Sequence, residues 1–177
     1  MAPSSIHSLL LVLFLSFGVC ISLARVVPVS VLCSKHPNPT NCVNILYNID
    51  GIGAGIELPG SIPPYVINTI GHAGAFETYT LLNTLIRNAT DPKLKQRYIA
   101  CSADYVGTLD YFNSAKDAYT SANYKDMKSN AANVIKAVQD CDRRPPSDPS
   151  QLPLLNNRMQ DVSNIIIILA DFLLGKY

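Results

Sequence analysis

Glutamate is all but missing from this chain: Glu57 and Glu77 are the only two. Histidine is nearly as scarce, with His7, His36 and His72. The aspartates are more numerous but spread along what read as helix surfaces, so no two carboxylates are set up for acid–base hydrolysis. There is no Gly-x-Ser-x-Gly elbow and no phosphate-binding glycine loop. Gly51-Ile52-Gly53-Ala54-Gly55 is rich in glycine but precedes no well-patterned helix and reads as a flexible turn. Neither His36 nor His72 stands in a metal-ligand or general-base spacing. His36 reads as a solvated loop residue, His72 as a residue at a helix surface or core edge. The common hydrolytic, phosphoryl-transfer and metal chemistries are thereby excluded, and no catalytic residue, metal ligand or cofactor is assigned. Strand-like alternation is almost absent as well. The apolar stretch Ile165 to Leu174 contains Asp171 and falls well short of the ~20 residues a membrane span needs. A formal charge of +1 gives no attraction to nucleic acid or to an anionic membrane.

Lys, Arg, Asp and Glu are all missing from residues 1–24. Leu9 to Val19 is an apolar run broken only by Ser16 and Gly18, of the length of a signal-peptide core. Ser22-Leu23-Ala24 supplies small residues for cleavage before Arg25. The reading is an export signal over 1–24 and one secreted, soluble domain over 25–177. Cys20 leaves with the signal, and the odd cysteine with it. Cys33, Cys42, Cys101 and Cys141 remain, in a compartment where an even count reads as a disulfide framework. No cysteine is left for nucleophilic work. Asn88-Ala89-Thr90 is a glycosylation sequon; Asn38-Pro39-Thr40 is not, because proline occupies its middle position.

The second half of the chain carries apolar residues at alternating spacings of four and three, the mark of helices packed in a bundle. One run is Leu94, Tyr98, Cys101, Tyr105, Thr108, Phe112, Ala115, Tyr119, opened by Asp91-Pro92 as cap and first turn. Its tyrosines are at core spacing. A second is Met127, Ala131, Val134, Val138, Cys141, with Asn123 as cap. A third is Leu155, Met159, Val162, Ile166, Leu169, Leu173, with Gly175 placed to end it. Tyr79, Leu82, Ile86 and Ala89 extend the pattern backwards. Four helices follow: 65–89, 92–120, 124–142 and 152–174. Arg25 to Pro64 reads as an irregular extension packed on the bundle, with a short helix at Val43 to Ile49. Arg143 to Pro149 reads as a stiff exposed connection whose arginines favour the negative end of the preceding helix.

Cys101 and Cys141 each lie twenty residues from a turn near Ser121. At about 1.5 Å of rise per residue, an antiparallel hairpin places them at one height, each on its core-facing seam. Their sulfurs can meet, and a loop of that length constrains the unfolded chain by roughly 4 kcal/mol in the entropy model. Counting alone also allows pairings of Cys33 or Cys42 with Cys101 or Cys141. Beside these seams run two surface stripes. Ala100, Ala103, Gly107, Asp110, Ser114 and Asp117 lie on one helix, and Ser129, Asn133, Lys136 and Asp140 on the next. Small residues there leave a shallow face that another protein can approach closely.

Several of these features occur together in one family. The cysteine spacings of nine and forty, the junction Asn88-Ala89-Thr90-Asp91-Pro92-Lys93-Leu94-Lys95, then Arg97-Tyr98, Cys101-Ser102, Tyr105 and the tip Ala122-Asn123-Tyr124 resemble the plant pectin methylesterase inhibitor and invertase inhibitor family. The resemblance covers the chain from Cys33 to its last helix. It implies an all-α fold: an up-down-up-down four-helix bundle over 65–177 with an N-terminal helical hairpin over 25–64. It also implies disulfides Cys33–Cys42 and Cys101–Cys141. The implied activity is inhibition without catalysis, by a one-to-one complex that covers the cleft of a target enzyme in the apoplast or cell wall. The implied partner is pectin methylesterase; the alternative is a cell-wall or vacuolar invertase. In the esterase inhibitors the second and third bundle helices cover the cleft. The candidate contacts here are therefore Asp110, Ser114, Asp117, Ser129, Asn133, Lys136 and Asp140. Invertase inhibitors often carry Pro-Lys-Phe near the tip, where this chain reads Asn123-Tyr124-Lys125-Asp126, closer to the esterase inhibitors. Esterase inhibitors often have Thr before the fourth cysteine; here it is Asp140, closer to some invertase inhibitors. The glycine-rich stretch 51–55 is unusual for the family's N-terminal hairpin.

Overall fold

The apolar period of the second half of the sequence becomes packed helical rods in the computed structural model, which describes residues 25–53 and 55–177. In chain order the elements are β1 (Arg25–Pro28), α1 (Val29–Cys33), α2 (Pro39–Tyr47), β2 (Gly55–Leu58), α3 (Ile62–Tyr65), a π-helical segment (Val66–His72), α4 (Ala73–Asn88), α5 (Pro92–Thr120), α6 (Tyr124–Asp142) and α7 (Leu152–Leu173). The first bundle rod is α3, the π segment and α4 run together. It packs on α5, α5 on α6, α6 on α7, and α7 back on the first rod. The export signal read over residues 1–24 lies outside the described residues.

The helix boundaries follow from local chemistry. Asp91 accepts the backbone N–H of Lys93 at 2.9 Å, and Pro92 occupies the first helical position of α5. Asn123 accepts from the N–H of Asp126 at 3.3 Å and caps α6. Tyr98, Cys101, Tyr105, Thr108, Phe112 and Ala115 of α5 are all buried, as are Met127, Ala131, Val134, Val138 and Cys141 of α6. The seam departs from its sequence pattern at the end of α5, where Ala118 is buried and Tyr119 only half-buried. The Tyr119 hydroxyl donates to the carbonyl of Gly60 at 2.7 Å and ties the hairpin tip to the β2–α3 connection. α7 is buried on several faces, including Ile165, Ile166, Ile168, Leu169 and Ala170. Its C-terminal half, from Ile165, is buried on nearly every side because the first rod, α6 and the N-terminal extension all pack on the helix.

The N-terminal extension is more ordered than its sequence suggests. β1 and β2 pair antiparallel, with Val27 opposite Ile56 and Arg25 opposite Leu58. Val27, Ile56 and Leu58 turn inward; Val26 and Glu57 face out. Gly51 and Gly53, at φ of 77° and 56°, make the turn that brings β2 back. That stretch is the approach to a strand rather than a slack loop. α2 also begins earlier than the helix read at Val43. Cys33 and Cys42 are joined, as are Cys101 and Cys141, whose Cα atoms lie 4.8 Å apart.

Three further readings change. His36 is buried, not solvated. The Cys33–Cys42 clamp folds its loop onto α7, where Nε2 donates to the Asp161 carbonyl at 3.0 Å and Nδ1 accepts from the Asn38 N–H at 2.9 Å. The connection Arg143 to Pro149 is stiff and partly exposed as read, but it is tied to α5, and Arg144 pairs with Asp104 there rather than serving the end of α6. The buried Arg97 donates to the carbonyls of Arg144 and Pro146, and Tyr98 donates to Asp148 at 2.8 Å. Asp171 is not a surface aspartate: it is buried, with Lys128 Nζ at 2.7 Å and Lys176 Nζ at 2.8 Å.

Candidate functional site

Two long antiparallel helices leave a furrow wherever small side chains line their outer seam. Between α5 and α6 that furrow holds about 340 Å³, lined by Ala103, Asp104, Gly107 and Tyr111 on one side and Asn133, Lys136, Ala137 and Asp140 on the other. Gly107 is open: a Cβ there would meet only the Tyr111 ring, at 3.8 Å. The Cys101–Cys141 bond lies just inside, buried, and fixes the separation of the two helices.

Of the residues read from the sequence, Asn133, Lys136 and Asp140 line this furrow. Asp110, Ser114, Asp117 and Ser129 do not. They are exposed on the continuation of the same helical faces toward the hairpin tip, at the three-and-four spacing that keeps residues on one side. Asp104, Tyr111 and Ala137 escaped the sequence reading. Tyr111 and Ala137 each stand one position from a residue of the stripes, Asp110 and Lys136, so a slightly wider stripe contains them. Asp104 is marked by nothing local, because its role comes from Arg144, which folds back beyond the end of α6.

That pair sets the electrostatics of the furrow's inner end. Arg144 grips Asp104 through Nε and Nη2, at 3.2 Å and 3.0 Å to Oδ2. Burial pushes the Asp104 carboxyl above the ordinary carboxylate range; Arg144 pulls it back and nearby Asp140 adds a smaller push upward. Asp140 lies 3.8 Å from Arg143 in an exposed pair of little energetic weight. Lys136 enters no salt bridge among the described residues, so the outer lip offers one unneutralised cation. Asn88, the sequon residue, is exposed at the end of α4. Among the described residues no group of His, Cys, Asp and Glu is arranged to hold a metal. No helix there is long and apolar enough to cross a membrane. The face is shallow, lined in part by small residues and braced by the Cys101–Cys141 bond.

No protein-family profile matches the chain. Among individual proteins it is 31% identical over 151 residues to a pectinesterase inhibitor of Actinidia deliciosa, spanning 84% of this chain and 80% of that one. It is 22% identical over 156 residues to pectinesterase inhibitor 2 of Arabidopsis thaliana, covering 85% of this chain and 86% of that one. Among solved structures, the fold superposes with a TM-score of 0.68 on a mutant form of a pectin methylesterase inhibitor from Arabidopsis, at 18% identity, over 81% of this chain and 95% of that one.

Proposed function

This chain belongs to the pectinesterase inhibitor family, and we propose that it is a secreted, non-catalytic inhibitor that docks one-to-one on a pectin methylesterase through the α5–α6 face. The observation that carries the reading is the braced, shallow furrow between those helices. Its floor of Ala103, Gly107 and Ala137 admits a partner's backbone or side chains at close range, while Asn133, Lys136 and Asp140 supply polar contacts at the lip. Exposed Asp110, Ser114, Asp117 and Ser129 extend the same surface toward the tip. A face held by a disulfide loses little freedom on binding, which favours tight association with a preformed cleft. Residues 1–24 act as an export signal cleaved before Arg25, delivering the protein to the cell wall, where Asn88 carries a glycan. Two observations support this: both cysteine pairs are bonded, which suits an oxidising compartment, and the sequon asparagine is exposed and so accessible.

The test is a titration of methanol release from pectin by a plant pectin methylesterase at mildly acidic pH. Inhibition saturating near one equivalent is expected, and no inhibition at large molar excess would overturn the proposal. Gly107→Arg places a long side chain in the open furrow and should weaken inhibition at least tenfold while leaving the urea midpoint unchanged or higher, arginine being the better helix former. Asp140 at the lip favours a second reading, inhibition of a cell-wall or vacuolar invertase. Sucrose hydrolysis measured over the same range of inhibitor separates the two.

A further inference from the structure

We propose that the groove between α2, the π-helical segment and α7 binds an acidic oligosaccharide of the uronide class, independently of the α5–α6 face. The groove holds about 570 Å³, within the range of small-ligand sites. Its polar lining is dominated by amides. Asn44 and Asn48 stand one turn apart on α2, and Asn157 is contributed by α7. An amide presents a donor and an acceptor side by side, which matches the neighbouring hydroxyls of a sugar ring. Among the described residues the side chains of Asn44 and Asn157 make no hydrogen bond, so their donors and acceptors are on offer. Asn48 spends one donor on the Asn44 carbonyl at 2.8 Å.

The apolar part of the groove suits the carbon face of the same ring. Ile45, Ile49 and Ile70 line it. Tyr65 and Leu154 stand beside them at 40% and 70% exposure, far more than large apolar side chains on the core side of these helices. Tyrosine joins an apolar body to a polar tip and serves surfaces that are part apolar, part wet.

Arg158 supplies a partner for the carboxylate of an acidic sugar. Arg158 lines the groove and enters no salt bridge among the described residues; its planar fork matches a carboxylate. Asp161 also lines the groove, and it is held at the α2 side by Asn41, another lining residue, so the Arg158 guanidinium is left for the ligand. Asp161 Oδ2 accepts from Asn41 at 3.0 Å and Asp161 Oδ1 lies 3.9 Å from His36 Nε2. Hydroxyls, a carbon face and one carboxylate on a single ring describe a uronic acid. The backbone gives independent support. Tyr65, Thr69 and Ile70 come from the π-helical segment or the residue before it, and π turns inside α-helices concentrate at functional sites.

The experiment is calorimetric titration of the purified protein with a short α-1,4-linked galacturonic acid oligomer and, separately, with its neutral galactose counterpart. Amide-resolved NMR of the same samples locates the binding. Saturable binding of the acidic oligomer is expected, at least fivefold tighter than the neutral one, with shifts at Asn44, Thr69 and Arg158. Arg158→Gln and Asn44→Ala, both at exposed positions, should each weaken it at least fivefold. Lys125→Gln, remote from the groove, should leave it unchanged. Circular dichroism checks that each variant is folded, and either groove variant alone suffices. No saturable binding, equal affinity for the neutral oligomer, unchanged binding in the folded groove variants, or shifts centred on Gly107 and Lys136 would each overturn the proposal. No esterase is present, so the outcome is read apart from inhibition.

Discussion

Ala122 holds a backbone conformation that side chains resist, with φ at 56°. It ends α5 by a left-handed closure in which Asn123 N–H reaches the Ala118 carbonyl at 2.8 Å and Ala122 N–H the Tyr119 carbonyl at 3.0 Å. After α7 the same closure is made by Gly175, at φ 70°, where the geometry has no Cβ to accommodate. Ala122→Gly should therefore stabilise the protein by about 1 kcal/mol, read as a higher urea midpoint with unchanged slope. Gly71 is the converse case. A Cβ there would lie 2.5 Å from the ring of buried Phe112, so Gly71→Ala should destabilise by about 1–2 kcal/mol, overpacking outweighing the better helix propensity of alanine. Gly175 was legible as a stop signal because glycine is the residue that closure favours. Ala122 was not, since alanine signals helix and the tip geometry is imposed by the two rods it joins. The burial of His36 was equally hidden: it depends on a carbonyl of Asp161, far along the chain.

Among the elements, the α5–α6 hairpin was the most readable. Its caps are local, its period is clean, and the equal distance of Cys101 and Cys141 from the turn follows from helical rise alone. The disulfide closes a loop of forty residues beneath the proposed docking face. Replacing both cysteines by alanine should cost about 2–4 kcal/mol in urea denaturation and weaken inhibition in parallel, whereas Gly107→Arg should weaken inhibition with no loss of stability. The strands were unreadable for a physical reason. β1 and β2 have four residues each, too few to display alternation, and their pairing is arranged by two helices and a disulfide loop lying between them. α7 misled differently. A run such as Ile165 to Leu169 is apolar at every position, so it carries no phase, and a single seam was drawn where several faces are buried. The π-helical turn leaves no mark in the periodicity except the small residue at Gly71. The groove it lines was for that reason invisible in the sequence.

At the scale of the molecule, one charged cluster joins α6, α7 and the chain beyond it. Burial alone would raise the Asp171 carboxyl, but hydrogen bonds from Lys128 and Lys176 outweigh it and hold the group below the ordinary carboxylate range. A carboxylate depressed in the folded state contributes stability above its unfolded value, about 3.9, and loses it as pH falls through the lower folded value. Asp171→Asn should therefore cost about 1–2 kcal/mol near pH 6, and its difference from the parent protein should shrink below about pH 4 when urea midpoints are followed against pH. The bundle class could be read from period and cysteine spacing, whereas this cluster could not, because an aspartate within an apolar run looks like an interruption until its two lysines are seen. The central place of α7 also bears on how the protein is made. α7 follows in sequence every element whose apolar face it covers. Until α7 is made, the earlier helices have no completed core to settle into, so a chain ending before Leu152 should lack a cooperative urea transition. A chain whose core closes last stays threadable for longer, which suits the export proposed above.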